Sequence, residues 1–341
     1  MKVAVCDRYG TPDVVRIEEI ERPTPGDGEI LVRVHAASVN RADLDGIQPR
    51  PQFIRLFFGF RGPRNHSVGI DVAGTVEAIG PGATRFKPGD RVFSDLFGNP
   101  RGAFAEYTVA PESKFAPIAE GMSFEDAASL PHSAVLALQG LRRRDGRTIR
   151  SGDKVLIVGA SGNVGPFAVQ IAKWMGAEVT GVASTGKLDF VRSLGADHVI
   201  DYTTTDWTAL GERYDWIMDT DSHVPIWRAR RALAKGGAYV TLGGTTWPIL
   251  GAMIVGPLLS LRSDRWSGLL LWWKPFHEPD VDTLKELFAQ GAFRPRIDRR
   301  FPLDEVVEAL RWVDDGNAKG KVIVTVGAET VGAEATEAPG P

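Results

Sequence analysis

The stretch Val155-Leu156-Ile157-Val158-Gly159-Ala160-Ser161-Gly162-Asn163-Val164-Gly165-Pro166 constrains the fold more than any other part of the chain. Four apolar residues in a row read as a buried parallel strand, the glycines as a tight turn, and Pro166 as a first-turn helix residue whose missing N–H costs nothing. Phe167, Ala168, Ile171, Ala172 and Met175 then recur at helical spacing. A strand, a glycine turn and a helix leave the first helical N–H groups beside the positive end of the helix dipole, which suits a pyrophosphate. The spacing, Gly-x-x-Gly-x-x-Gly, is one residue longer than the common dinucleotide fingerprint. A plain tight turn can carry the same glycines, so the surrounding sequence has to decide.

That surrounding sequence alternates. Strands are expected at 178–183, 197–200, 214–218 and 237–242, with helical stretches between them at 187–194, 206–211 and 225–234. Strands separated by helices of this length imply an α/β fold with a doubly wound parallel sheet, here over residues 126–275. Residues 1–125 read instead as short strands and turns, with Glu29 to Ala36 alternating as a half-buried strand does. From Ser123 a helix is expected to carry Ala127, Leu130, Val135, Leu138 and Leu141, with Pro131 near its beginning. After residue 275 the chain offers helices at 279–290 and from Phe301 to Asp315, then a strand from Lys321 to Val326. These are too few for a separate domain, so residues 276–326 are expected to complete the N-terminal β-rich domain. The stretch 327–341 has no aromatic residue and reads as a disordered tail.

Composition removes several function classes. Of 341 residues, 43% are hydrophobic, ample for packed cores, and the net charge of −3 with dispersed Lys and Arg argues against a nucleic-acid partner. Cys6 is the only cysteine, which leaves no intramolecular disulfide and no cysteine-based structural zinc. A reducing compartment fits, and the N-terminus resembles a first strand more than a signal peptide, so a cytoplasmic protein is expected. The apolar segment from Trp247 to Leu261 is too short to span a bilayer and reads as a buried loop or a subunit contact, with contact to a membrane surface or a lipophilic ligand as the alternative.

Several stretches together resemble the zinc-independent quinone oxidoreductase branch of the medium-chain dehydrogenase/reductase superfamily. They are Ala37-Ser38-Val39-Asn40, Gly69-Ile70-Asp71-Val72-Ala73-Gly74, Phe86-Lys87-Pro88-Gly89-Asp90-Arg91-Val92, Gly159 to Gly165, Leu194-Gly195-Ala196-Asp197 and Gly320-Lys321-Val322. They follow the family's order over nearly the full length. The resemblance implies a GroES-like catalytic domain, a Rossmann domain, an NAD(P) cofactor and commonly a homodimer, which Leu269-Leu270-Leu271-Trp272-Trp273 would form as an edge strand.

Folds that prefer NAD carry an Asp or Glu about twenty residues after the glycine turn. Here Ala183 stands at that place, so nothing acidic is expected to repel a 2′-phosphate, and Ser184, Thr185 and Lys187 follow. Tyr202 matches a tyrosine that lies along the same phosphate in relatives. NADPH is the expected cofactor, with Gly159, Ser161, Gly162, Asn163, Val164 and Gly165 at its diphosphate; a polar loop with a solvated lysine is the plainer alternative. The resemblance also brings Leu242, Gly243 and Lys321 near the nicotinamide half.

No metal is expected, because Val39-Asn40-Arg41 lacks the cysteine and Ile70 replaces the histidine that zinc-dependent relatives use. Asn40 is the leading candidate for a polar group beside the nicotinamide or substrate, with Asp43 orienting it or meeting the ribose. The alternative is that both merely cap a turn and the next helix. For the proton donor, Ser133, His132 and solvent all stay open. Relatives often carry Leu-Pro-x-Ala-Gly-x-Thr-Ala where this chain has Leu130-Pro131-His132-Ser133-Ala134-Val135-Leu136-Ala137, so Leu136 replaces a threonine that faces the cofactor. Phe53, Phe57, Phe58 and Phe60 could line a greasy substrate entrance or belong to the core.

The resulting expectation is an NADPH-dependent reductase of a small lipophilic quinone or α,β-unsaturated carbonyl. A nucleotide-binding redox sensor or assembly factor with little turnover, and a zinc-free alcohol dehydrogenase, are the alternatives.

Overall fold

The computed structural model describes residues 1–49, 55, 59, 60 and 62–327. Phe53, Phe57 and Phe58 of the expected entrance, and residues 328–341 of the expected tail, lie outside the described residues.

A short antiparallel ribbon, β1 (Lys2–Val5) and β2 (Arg16–Glu19), opens the chain. Five strands follow, β3 (Glu29–Val39), β4 (Asp71–Ile79), β5 (Arg91–Asp95), β6 (Tyr107–Pro111) and β7 (Ala116–Pro117). The next six, β8 (Lys154–Val158), β9 (Glu178–Ala183), β10 (His198–Asp201), β11 (Tyr214–Asp219), β12 (Leu233–Thr241) and β13 (Trp266–Leu269), form one parallel sheet in the order β10-β9-β8-β11-β12-β13. The order reverses at β8, which puts a crevice at its carboxyl end, where α/β sheets bind ligands. Val155, Leu156 and Ile157 on β8 have no exposed surface, as a strand covered on both faces requires. Last come β14 (Ile297–Pro302) and β15 (Lys321–Thr325), which join the early strands in a second sheet ordered β14-β15-β3-β4-β5-β7, with β6 also on β3. Strands β3 to β7 therefore share one sheet with β14 and β15, and the parallel sheet is built from the segment between them.

Five local expectations change, the first being that the edge strand expected at Leu269 to Trp273 is Trp266–Leu269 and leads into a turn. Pro131 splits the expected helix after Ser123 into Phe124–Ser129 and Ser133–Gly140, because proline lacks the N–H a continuous helix needs. Phe301 and Pro302 belong to β14, and the helix is Val306–Asp314. Residues 206–211 form turns pinned by Asp206, whose carboxylate accepts from the Thr208 N–H and hydroxyl. The Trp247–Leu261 segment is helical, in two short helices, Thr246–Leu250 and Gly256–Ser260, joined by a wide turn, with Trp247 81% and Leu261 83% exposed. Among the described residues no helix is long and apolar enough to cross a membrane.

Candidate active site

The turn after β8 owes its shape to its glycines. Gly159 adopts φ +77°, and a Cβ there would stand 2.2 Å from Thr220 Oγ1. At Gly165 a Cβ would come within 2.2 Å of the Gly159 carbonyl, so only glycine lets the helix Gly165–Trp174 begin this close to the strand. Gly162 is different, since a Cβ there would meet nothing nearer than the Gly159 carbonyl at 3.6 Å. It forms an open ledge in front of the helix start, the cradle a diphosphate needs. Val164 directly precedes the helix. The turn is docked onto the other lobe, where Asn163 Nδ2 donates to the Val39 carbonyl at 2.7 Å and Ser161 accepts from the Gly320 N–H at 3.1 Å.

The far end of the crevice is less open than expected. Strand β9 does end at Ala183, followed by half-buried Ser184 and, across the turn, exposed Tyr202. An acid is nonetheless present. Strand β10 pairs in parallel with β9 so that Asp201 registers against Ala183, and Thr185 Oγ1 donates to Asp201 Oδ2 at 2.5 Å. Hydrogen bonds from Thr185 and Thr203 hold this carboxyl below its ordinary range, so it is charged at neutral pH. Lys187 donates to the carbonyls of Gly316 and Ala318 at 2.6 and 2.7 Å, and burial pushes its ammonium down from the usual value. After β12, Leu242 donates its N–H to the Asp219 carbonyl, and Gly243 accepts from the Ser222 N–H and the Thr241 hydroxyl.

Beside the glycine turn lies a buried polar cluster assembled from four elements. Lys321, at the start of β15, is 1% exposed and directs Nζ to Asn40 Oδ1 at 2.6 Å and Ser133 Oγ at 3.1 Å, with Asp71 Oδ2 at 3.6 Å. Asn40 Nδ2 and Ser38 Oγ donate to the same Asp71 oxygen at 2.9 and 3.0 Å, and Ser133 Oγ donates to Asn40 Oδ1 at 2.9 Å. Burial raises the Asp71 carboxyl and lowers the Lys321 ammonium, and each restores the other in part. Lys321 is thus a buried member of this cluster and not a surface lysine.

Asp43 accepts from the Asn40 N–H through Oδ2 at 2.7 Å, which starts the helix Arg41–Ile47. Capping and site therefore use the same residues. Asp43 Oδ1 is buried without a hydrogen-bond partner, and burial raises the carboxyl to about 7. Asp43 also lines a cavity of about 580 Å³ together with Cys6, Ile47, Ile70, Leu96 and Phe97. Leu136, half-buried on the Ser133–Gly140 helix, has no side-chain group that could join these hydrogen bonds.

Two acids went unassigned in the sequence reading, Asp71 and Asp95. Each is a charged residue within an apolar strand, Val72-Ala73 following one and Val92-Phe93 preceding the other, and a buried acid requires a partner. Their partners come from Lys321 and His132, distant in sequence. Among the described residues, no group of three or more His, Cys, Asp or Glu is placed to hold a metal.

Comparison with known proteins agrees with this architecture. Residues 26–120 match the family model described as the alcohol dehydrogenase GroES-like domain, and residues 194–324 match the one described as zinc-binding dehydrogenase. The chain is 34% identical to the chloroplastic quinone-oxidoreductase QR1 of Triphysaria versicolor, over 95% of this chain and 98% of that protein. It is 31% identical to the mitochondrial NAD(P)H oxidoreductase RTN4IP1 of Mus musculus, over 96% of this chain and 89% of the other. The solved quinone oxidoreductase of Coxiella burnetii superposes with a TM-score of 0.82 at 28% identity, covering 96% and 99% of the two chains. With the GroES-like sheet, the Rossmann sheet and these relatives together, the chain belongs to the quinone-oxidoreductase-like branch of the medium-chain dehydrogenase/reductase superfamily and is an oxidoreductase.

Proposed function

We propose that this chain is an NADPH-dependent reductase that transfers hydride to a small quinone or α,β-unsaturated carbonyl without a metal. One observation carries the reading: the open Gly162 ledge lies against the buried Asn40–Ser133–Lys321 cluster, joined to it through Asn163–Val39 and Ser161–Gly320. Gly159 to Gly165 would hold the diphosphate, and Ser184 and Tyr202 the adenosine ribose. When bound, a reduced nicotinamide supplies hydride. Asn40, whose amide accepts from Lys321 and Ser133 and donates to Asp71 and Ser38, would act by holding Lys321 and Ser133 in fixed positions beside the glycine turn. The cavity, lined by Ile47, Val68, Ile70, Leu96 and Phe97 together with the polar Asp43, Asn65 and Asn99, has a mostly apolar surface that suits a lipophilic carbonyl. Relatives named as quinone oxidoreductase and NAD(P)H oxidoreductase support the same assignment.

NADPH over NADH is supported by Ala183 at the end of β9, where the strand itself carries no acid, whereas the charged Asp201 registered against it weighs towards NADH. A homodimer through β13 is proposed because that strand ends the parallel sheet, with Leu271 beside it 66% exposed. The deciding experiment follows NADPH and NADH oxidation by purified protein with a panel of quinones and enones, alongside metal analysis and sedimentation. Multiple turnover with NADPH preferred and no stoichiometric zinc is expected. Tight NADPH binding without turnover would favour a redox sensor instead.

A further inference from the structure

Reduction of a quinone or a conjugated carbonyl adds one hydride and one proton, and the reductase reading leaves the proton without a source. His132 stands directly before Ser133, and its N–H is fixed on Asp71 Oδ1 at 3.0 Å, so the residue belongs to the same buried cluster as Asn40 and Lys321. Its Nδ1 meets Asp95 Oδ2 at 3.0 Å, and the Asp95 side chain has no exposed surface. A buried carboxylate there selects the ring form with hydrogen on Nδ1 and makes Nε2 the nitrogen that gains and loses a proton. Among the described residues Nε2 has no hydrogen-bond partner. The ring is held in place by Trp273, edge-on at 5.2 Å, and by Phe97 at 6.4 Å, and Phe97 also lines the cavity that holds Asp43.

We propose that His132, oriented by Asp95, donates the proton in the reduction. The inference rests on the reductase reading. In the step, an enone accepts hydride from reduced nicotinamide dinucleotide at its β-carbon, and the C=C electron pair moves to place charge on the carbonyl oxygen. The Nε2–H bond breaks and that oxygen takes the proton, so the substrate gains two electrons, the dinucleotide is oxidised by two, and neutral imidazole is recharged from water. Every charged group around the ring bears on this role. Burial disfavours the imidazolium, but the Asp95 hydrogen bond and charge, with Asp71 behind it, outweigh burial and Lys321, and the net direction is upward. Asp43 and Asp45 on the Arg41–Ile47 helix also interact electrostatically with the ring, but burial raises both carboxyls, to about 7 and about 6, so Asp43 is only partly ionised at neutral pH. His132 is therefore protonated over more of the neutral range than an ordinary histidine, as a proton donor should be.

The test uses the whole protein. In wild type, kcat should fall on the alkaline side as His132 loses its proton. His132→Gln should lower kcat by about 100-fold or more and abolish that alkaline limb, while the Kd for NADPH, read by fluorescence, stays unchanged. Asp95→Asn should move the limb to lower pH, and added imidazole should restore part of the activity of His132→Gly. Independently of turnover, the His132 ring signal in NMR of the cofactor-free protein should titrate above the ordinary histidine value in wild type and lower in Asp95→Asn. Wild-type kcat and pH profile in His132→Gln would overturn the proposal alone. A wild type that turns over no quinone or enone would overturn the reductase reading, and the proposal with it.

Discussion

Lys321 is an ammonium with almost no contact with water, and such a charge persists only where counter-charges and acceptors surround it. Removing it strands Asp71 as an unpaired buried acid. Lys321→Met should therefore lower stability by about 3–5 kcal/mol, read from urea midpoints at neutral pH, and Asp71→Asn added to it should recover part of the loss. Asp43 works in the opposite sense. Its carboxyl titrates at about 7 in the folded chain against an ordinary 3.8, so between those values the folded state holds a proton that the unfolded state has released. Stability therefore declines as pH rises through that window, by an amount on the order of a few kcal/mol. Asp43→Asn should remove this part of the slope, making the variant more stable than wild type at pH 8 relative to pH 5 in paired urea titrations. Equal slopes in the two proteins would show that Asp43 ionises freely.

At the scale of elements, the turn after β8 and the polar cluster were unequally legible. Gly159 to Gly165 could be read directly, because a strand, a turn and a helix are specified by residues next to one another. The need for glycine at residue 165 is local too: Gly165→Ala would press a Cβ against the Gly159 carbonyl and push the helix start off the strand. We expect it to weaken NADPH binding at least tenfold by fluorescence titration. The cluster could be read only in fragments. Asn40, Ser133 and Lys321 each stood out, but the register that faces Asp71 with Asp95 across β4 and β5 depends on strand pairing, which no local pattern states. The same reason hid Asp201, whose approach to Ala183 follows from the β9–β10 register. Pro131 did signal a helix break, and there the apolar spacing outweighed it in the sequence reading.

For the molecule as a whole, both sheet types and the return of the last strand to the first lobe were legible. Lys321 to Val326 is too apolar to stand alone, and the segment before it too small to form its own core. What was not legible is how strongly that return binds the site to the order in which the chain is made. Strand β15 lies between β14 and β3, and it brings Lys321 to Asn40 across nearly the whole sequence. During synthesis the first lobe is therefore missing a strand, and Asp71 its cation, until β15 has left the ribosome. A chain ending at Ala318 should leave this lobe labile, with rapid amide exchange in β3 and β4, while β8 to β12 stay protected. The parallel-sheet half can thus mature first, and the polar cluster is completed only with β15.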